Sequence, residues 1–66
     1  MRVYINGKAD EMPDNMAVSE LIQRIGLEQK HIAVEINQEI ISRSSYAAHI
    51  ISEGDRVEIV KAIGGG

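Results

Sequence analysis

The sequence predicts one α+β domain, in which a mixed sheet of four to five strands carries one main helix packed on one face. Apolar and polar residues alternate over residues 1–5 and over residues 32–36, which is the pattern of half-buried strands. Between these segments, apolar side chains recur at i, i+3, i+4 and i+7 from Val18 to Ile25, as on one face of a helix. A chain of 66 residues buries one small core, which leaves little room for a deep active-site cavity.

The first two strands are predicted to form a hairpin. Asn6-Gly7 favours the positive φ angles that a tight two-residue turn requires, so residues 1–5 and residues 8–12 are expected to pair. Pro13 has no backbone N–H group to donate to a sheet, and the second strand should therefore end before it.

The predicted helix, over residues 18–25, has a clear end and an ambiguous start. Gly26 follows the last apolar position, where a residue with positive φ commonly ends a helix. Ala17 has the spacing of a capping residue but carries no side-chain oxygen. Asp14 or Asn15 is therefore expected to cap the helix instead.

A second hairpin follows the helix. Residues 32–36 and residues 39–41 flank a plausible turn at Asn37-Gln38. Residues 43–49 show no clean period, which predicts an irregular link with one helical turn around Tyr46.

The last strand, over residues 56–63, places Val57 and Ile59 on one face. It is expected to pair centrally and in parallel with the first strand, with the helix in the crossover between the two halves of the sheet. This is the β-grasp, or ubiquitin-like, arrangement. Residues 1–63 are thus predicted as the domain and residues 64–66 as a flexible C-terminal glycine tail.

Gly64, Gly65 and Gly66 are the one feature that the predicted fold does not need, because glycine supplies no packing and costs entropy to order. A terminal carboxylate is ionised at neutral pH and is a competent nucleophile toward the α-phosphorus of ATP. Attack of sulfide or a persulfide on the resulting acyl-adenylate would leave a thiocarboxylate on Gly66. The same glycines are also compatible with an unstructured end or a cloning remnant.

Composition excludes several classes of function. The 7 Lys and Arg against 10 Asp and Glu give a net charge of −3, which disfavours nucleic-acid binding. No cysteine is present, and His31 and His49 lie far apart in the sequence, so no metal site is predicted. No stretch approaches a membrane span, and Met1 opens into a strand pattern and not a signal peptide. A cytoplasmic protein without membrane contact is expected.

Several short segments are weak signals singly. In this order, and in a chain of this length, they are distinctive as a set. They are Asn6-Gly7, residues 18–22, residues 33–37, residues 39–43, Tyr46, residues 54–60 and residues 62–66. The Gly-Asp pair that precedes the last strand and the terminal glycine pair are the most specific. On these segments the chain resembles, over all 66 residues, the ThiS family of thiamine-pathway sulfur carriers.

The resemblance implies a protein co-substrate and not an enzyme. An E1-like adenylyltransferase, using ATP and magnesium, would adenylate the carboxylate of Gly66. A desulfurase-linked step would convert it to the thiocarboxylate, and thiazole synthase would accept the sulfur. Gly65 and Gly66 match the family's terminal pair, whereas Gly64 is an extra glycine present in some members. The resemblance implies that the chain itself binds no cofactor.

A docking surface is predicted on the last strand. Val60 and Ala62 alternate away from Val57 and Ile59, so they are expected on the face that the helix leaves uncovered. We predict that this apolar pair, which leads into the tail, is the docking patch for both protein partners. The alternative is that both residues occupy ordinary sheet positions.

Three other functions are compatible with the pattern. The sulfur-carrier subunit of molybdopterin synthase is the nearest, but that family is usually longer and richer in aromatic residues, and this chain has no Phe and no Trp. A ubiquitin-like modifier would join the same activated carboxylate to a lysine. A plain binding module, such as an RNA-binding β-grasp domain, would not need Gly65 and Gly66, and the acidic balance disfavours it.

Overall fold

The structure, a computed structural model, describes residues 1–61. In that part of the chain five strands and one α-helix follow in order: β1 (Arg2–Ile5), β2 (Lys8–Glu11), α1 (Val18–Arg24), β3 (Ile32–Ile36), β4 (Glu39–Ile41) and β5 (Arg56–Lys61). Short 3₁₀ turns lie at Gln29–His31, which the sequence did not predict, and at Arg43–Ser45, directly before Tyr46, where one helical turn was expected.

The strands form one mixed sheet in the order β2-β1-β5-β3-β4. Strands β1 and β5 run parallel, and every other neighbouring pair runs antiparallel. The first and last strands are therefore central neighbours, and α1 lies in the crossover that joins the two halves of the sheet. The predicted β-grasp arrangement is confirmed.

Both hairpins turn through two residues with positive φ. These angles are 50° at Asn6 and 84° at Gly7 in the first hairpin, and 53° at Asn37 and 70° at Gln38 in the second. Turns of this kind match the right-handed twist of the flanking strands. Asn tolerates the conformation because its short side chain makes local hydrogen bonds, whereas Gln38 has no comparable advantage.

The helix begins after Ala17, which corrects the expectation that Asp14 or Asn15 caps it. The backbone of Ala17 is extended and forms a β-bridge with Ile50, which fixes the chain just before the first helical turn. The side chain of Glu20 reaches back, and its Oε1 accepts a hydrogen bond from the Ala17 N–H group at 3.0 Å. Only this half of a capping box is available, because an alanine side chain has no acceptor.

The helix ends in a Schellman motif, as the position of Gly26 suggested. The N–H group of Leu27 donates to the carbonyl of Ile22, and that of Gly26 donates to the carbonyl of Gln23, both at 3.1 Å. Gly26 has a φ of 81°, a conformation that glycine adopts without strain. The helix therefore stops at Arg24, one residue earlier than predicted.

The core lies between α1 and one face of the sheet. Val18, Leu21 and Ile22 have at most 1% of their surface exposed, while Ile25 is only partly buried. Burial of each such side chain contributes roughly 1.5–3 kcal/mol relative to exposure. The sheet residues in the same cluster are Val3, Ile32, Val34, Ile36, Ile41, Val57 and Ile59.

Several predictions fall on residues that lie outside the described chain. They concern the strand positions Ala62 and Ile63, the domain boundary at residue 63 and the glycines of residues 64–66. Within residues 1–61, no helix is long and apolar enough to cross a membrane.

Candidate functional site

Strand β5 is the element that leads to the terminal glycines. It lies in the middle of the sheet, between β1 and β3, and its last described residue is Lys61. Four residues of the predicted site, Ala62, Gly64, Gly65 and Gly66, are outside the described residues. The geometry available at the site is therefore that of β5 and the surface beside it.

The two faces of β5 differ in exposure. Val57 and Ile59 are buried under the helix, with 1% and 8% of their surface exposed. Val60 points to the opposite face and is 57% exposed. The sequence-based placement of Val60 on the uncovered face is confirmed.

Strand pairing extends this exposed surface across three strands. Val60 lies opposite Ala33, and Glu58 lies opposite Glu35, which in turn lies opposite Ile40. Directly opposed residues share one face of a sheet. We call the five residues Ala33, Glu35, Ile40, Glu58 and Val60 the outer patch.

Ile40 is the most exposed large apolar side chain of the described chain, at 76%. Sequence reasoning missed it because Ile40 and Ile41 are adjacent and both apolar, so the pattern of this short strand does not decide which one faces the core. The pairing of Val34 with Ile41 decides it, since Val34 is fully buried and Ile41 is 8% exposed. Ile40 is thereby placed on the outer patch.

The centre of the outer patch is acidic. Glu35 and Glu58 are direct cross-strand neighbours, and like charges in such positions destabilise a sheet. Among residues 1–61, neither carboxylate takes part in an ion pair. The guanidinium of Arg56, on the same strand as Glu58, lies instead over the ring of Tyr4, 4.8 Å from its centroid.

The histidines do not form a second site. His31 lies in the 3₁₀ turn, and its Nδ1 atom is 3.8 Å from Oε2 of Glu28 on an exposed surface. No group of three or more His, Asp or Glu side chains that could hold a metal ion occurs in the described part of the chain.

Comparison with known proteins assigns the family. The family model of ThiS matches residues 3–66, which is nearly the whole sequence. The chain belongs to the ThiS family. The sulfur carrier protein ThiS of Escherichia coli (strain K12) is 32% identical to it over 66 residues, which cover all of both chains. The resemblance noted in the sequence is confirmed.

The ThiS fold is also found in a solved structure. The crystal structure of the thiamine biosynthesis protein ThiS from Geobacter metallireducens has a TM-score of 0.87 to this chain, at 30% identity and with full coverage of both chains. This similarity supports the strand order β2-β1-β5-β3-β4.

Some ThiS relatives are much longer. A protein named thiazole synthase from Paramagnetospirillum magneticum (strain ATCC 700264 / AMB-1) is 41% identical over all 66 residues of this chain, which cover 20% of that protein. Another thiazole synthase, from Magnetococcus marinus (strain ATCC BAA-1437 / JCM 17883 / MC-1), is 32% identical with the same coverage. The chain thus spans about a fifth of the length of these two curated relatives.

Proposed function

We propose that this chain is a sulfur carrier for thiazole synthesis in the thiamine pathway, and that the carboxylate of Gly66 is its working group. The observation that carries the proposal is the match to the E. coli carrier along the full length of both chains. In this role the chain is a protein co-substrate, and the catalytic groups belong to its partners.

The chemistry uses a carboxylate as the nucleophile. In the proposed reaction, an E1-like adenylyltransferase holds ATP and magnesium, the Gly66 carboxylate attacks the α-phosphorus, and pyrophosphate leaves. Hydrosulfide, which a thiol reductant releases from the persulfide of a desulfurase-linked donor as a disulfide forms, then attacks the acyl carbon, and AMP leaves. The product is a thiocarboxylate that can pass its sulfur to thiazole synthase.

A glycine segment suits delivery of this carboxylate into a narrow channel, because it has no Cβ atoms. Three extended residues reach about 10 Å, far enough to separate the reacting group from the folded body. Ordering each residue in the channel costs roughly 1–2 kcal/mol, which docking of the body has to offset. The proposed function therefore requires a docking surface near the start of the segment formed by Gly64, Gly65 and Gly66.

We assign docking to the outer patch together with Ala62. Val60 and Ile40 provide exposed apolar contact area, and between them the Glu35–Glu58 pair favours a cationic side chain of the partner. A lysine or arginine placed there would relieve the repulsion between the two carboxylates, which have no ion-pair partner in residues 1–61. The same surface is proposed to meet the adenylyltransferase and the thiazole synthase in turn.

The longer relatives support thiazole synthase as the acceptor. In the two proteins of that name, a segment similar to the whole of this chain is part of the same polypeptide. Covalent linkage holds two domains at a high effective concentration, which is useful when one delivers a group to the other. For this chain, we propose that the same contact is made between separate molecules or domains.

Intact mass spectrometry tests the chemistry. The native gene product is incubated with ATP, magnesium, the adenylyltransferase and a sulfide source, and the expected product has one sulfur in place of one oxygen at Gly66. A variant that lacks Gly65 and Gly66 is the control and should stay unmodified while melting at the same temperature. Modification of a side chain, or equal activity of the shortened variant, would refute the proposal.

Introducing a positive charge at two exposed positions tests the docking surface. Val60→Lys should weaken binding to the adenylyltransferase, because it places a cation where the partner's cation and apolar groups are proposed to lie. Ala9→Lys is the matched control, since Ala9 is exposed and pairs with Tyr4 on the same face but lies two strands away from β5. Equal affinity of both variants, measured by titration calorimetry, would remove the outer patch from the proposal.

A further inference from the structure

Strand β5 is supported unequally on its two sides. On one side β3 pairs with it at every position from Val57 to Lys61. On the other side β1 pairs with it only at Arg56 and Val57, because β1 ends at Ile5 and the chain turns away. The half of β5 that leads to the glycines therefore has no strand beside it on the β1 side within residues 1–61.

The side chain of Asn6 takes the place of that missing strand. Its Oδ1 atom accepts a hydrogen bond from the N–H group of Ile59 at 2.8 Å, and its Nδ2 atom donates to the Ile59 carbonyl at 3.3 Å. The backbone N–H group of Asn6 also donates to the carbonyl of Val57 at 2.8 Å. A side-chain amide has one donor group and one acceptor, as a peptide group has, so Asn6 extends the parallel ladder by one step.

Asn37 makes a closely similar arrangement at the other end of β5. It occupies the equivalent position of the second hairpin, with a φ of 53° against 50° for Asn6. Its Oδ1 accepts a hydrogen bond from the N–H group of Arg56, and its Nδ2 donates to Oδ1 of Asp55, both at 3.0 Å. One asparagine thus holds the start of β5, and the other holds the part that precedes Lys61.

We propose that Asn6 is a positioning residue for the reaction at Gly66. Its amide fixes the path of β5 at Ile59, two residues before the end of the described chain, on the strand that leads in sequence to Gly66. Asn6 acts on delivery of the carboxylate into the partner's channel and not on docking through the outer patch. The inference rests on the proposed function.

Asn6→Gly and Asn37→Gly form a matched pair for the test. Glycine accepts the positive φ at both sites, so each variant loses two side-chain hydrogen bonds without gaining backbone strain. The single-turnover rate of adenylation is measured at saturating adenylyltransferase, at a temperature at which all variants are folded. Amide hydrogen exchange at Ile59 is measured in the free carrier.

For Asn6→Gly we expect the adenylation rate to fall about two- to tenfold, because the net free energy of one hydrogen bond corresponds to a change of this size. The half-saturating enzyme concentration should stay unchanged, and exchange at Ile59 should accelerate. Asn37→Gly should leave the rate within about twofold of the wild type despite a similar loss of stability. Asn6→Asp keeps the acceptor for the Ile59 N–H group but not the donor, so its rate should lie in between.

Equal rate losses in the two glycine variants would show a merely structural role and overturn the proposal. So would an unchanged rate in Asn6→Gly, or unchanged exchange at Ile59. If the wild type is not adenylated at all, the proposed function fails, and the positioning role fails with it. In that case the exchange data still report whether Asn6 holds β5, so the two failures are distinguishable.

Discussion

The same strands form both faces of the sheet, but the two faces differ in exposure. On the helix side, Val3, Val34 and Val57 have at most 1% of their surface exposed. On the opposite side, Val60 and Ile40 are 57% and 76% exposed, although each is directly next to a buried residue of its own strand. One helix can cover only one face of a five-stranded sheet, so the other face remains available for binding without loss of core packing.

Replacing Leu21 by Asp is the most severe test of this division. Leu21 has 0% of its surface exposed, and an unpaired carboxylate at that position costs several kcal/mol. Because small domains are stable by only about 5–15 kcal/mol, we expect the variant to be unfolded at room temperature by circular dichroism.

The control for Leu21→Asp is Gln23→Asp, which introduces the same side chain on the exposed side of the helix. Its cost should not exceed about 1 kcal/mol, from the unfavourable position of an acid near a helix C-terminus. If Leu21→Asp melted cooperatively at the wild-type temperature, the assignment of the core to the helix side would be wrong.

A threonine pair compares the two faces on a single strand. Val57→Thr and Val60→Thr each replace a methyl group with a hydroxyl group while they keep the β-branched shape. At the buried Val57 position the hydroxyl should cost about 1–3 kcal/mol, whereas at the exposed Val60 position the change should stay within about 0.5 kcal/mol. Urea unfolding of both variants measures the difference, and similar losses would refute the contrast between the faces.

Local patterns were sufficient to predict most of the elements. Strand β3 (Ile32–Ile36) and the helix face were predicted correctly, because alternation or helical spacing in each is uninterrupted and ends at a turn-forming residue. The residue that precedes the helix as its cap was not, because Ala17 is held there by its bridge to Ile50, a contact between distant parts of the sequence. Capping patterns describe only neighbouring residues and do not include such contacts.

The candidate site was predicted only in part, again because local sequence patterns do not include contacts between distant residues. Alternation along β5 was sufficient to place Val60 on the uncovered face. The neighbours of Val60 depend on the register between strands, so neither the exposure of Ile40 nor the facing pair Glu35–Glu58 could be read from local sequence. The contact between Asn6 and Ile59 spans most of the chain and was equally hidden.

Replacing Gly26 by Ala changes the helix end without touching the open face. A Cβ atom at Gly26 would meet no heavy atom within 4 Å, so the cost arises from the positive φ of 81° alone. We expect a loss of about 1–2 kcal/mol in the free energy of unfolding, and a smaller loss for Gly26→Asn, since asparagine tolerates this conformation. Binding through the outer patch should be unaffected, and weaker binding would show that the two faces are coupled.

The smallest effect is expected for Ala17→Ser, which should stabilise the protein. A serine hydroxyl at the helix start can accept a hydrogen bond from the Glu20 N–H group and complete the capping box that is now half formed. The gain should be about 0.5–1 kcal/mol, the lower part of the usual range, because Glu20 already stabilises this end. Ala48→Ser, at an exposed position, is the control and should be neutral. Ala17 is 5% exposed, so a loss of stability would mean that the hydroxyl is buried without a partner.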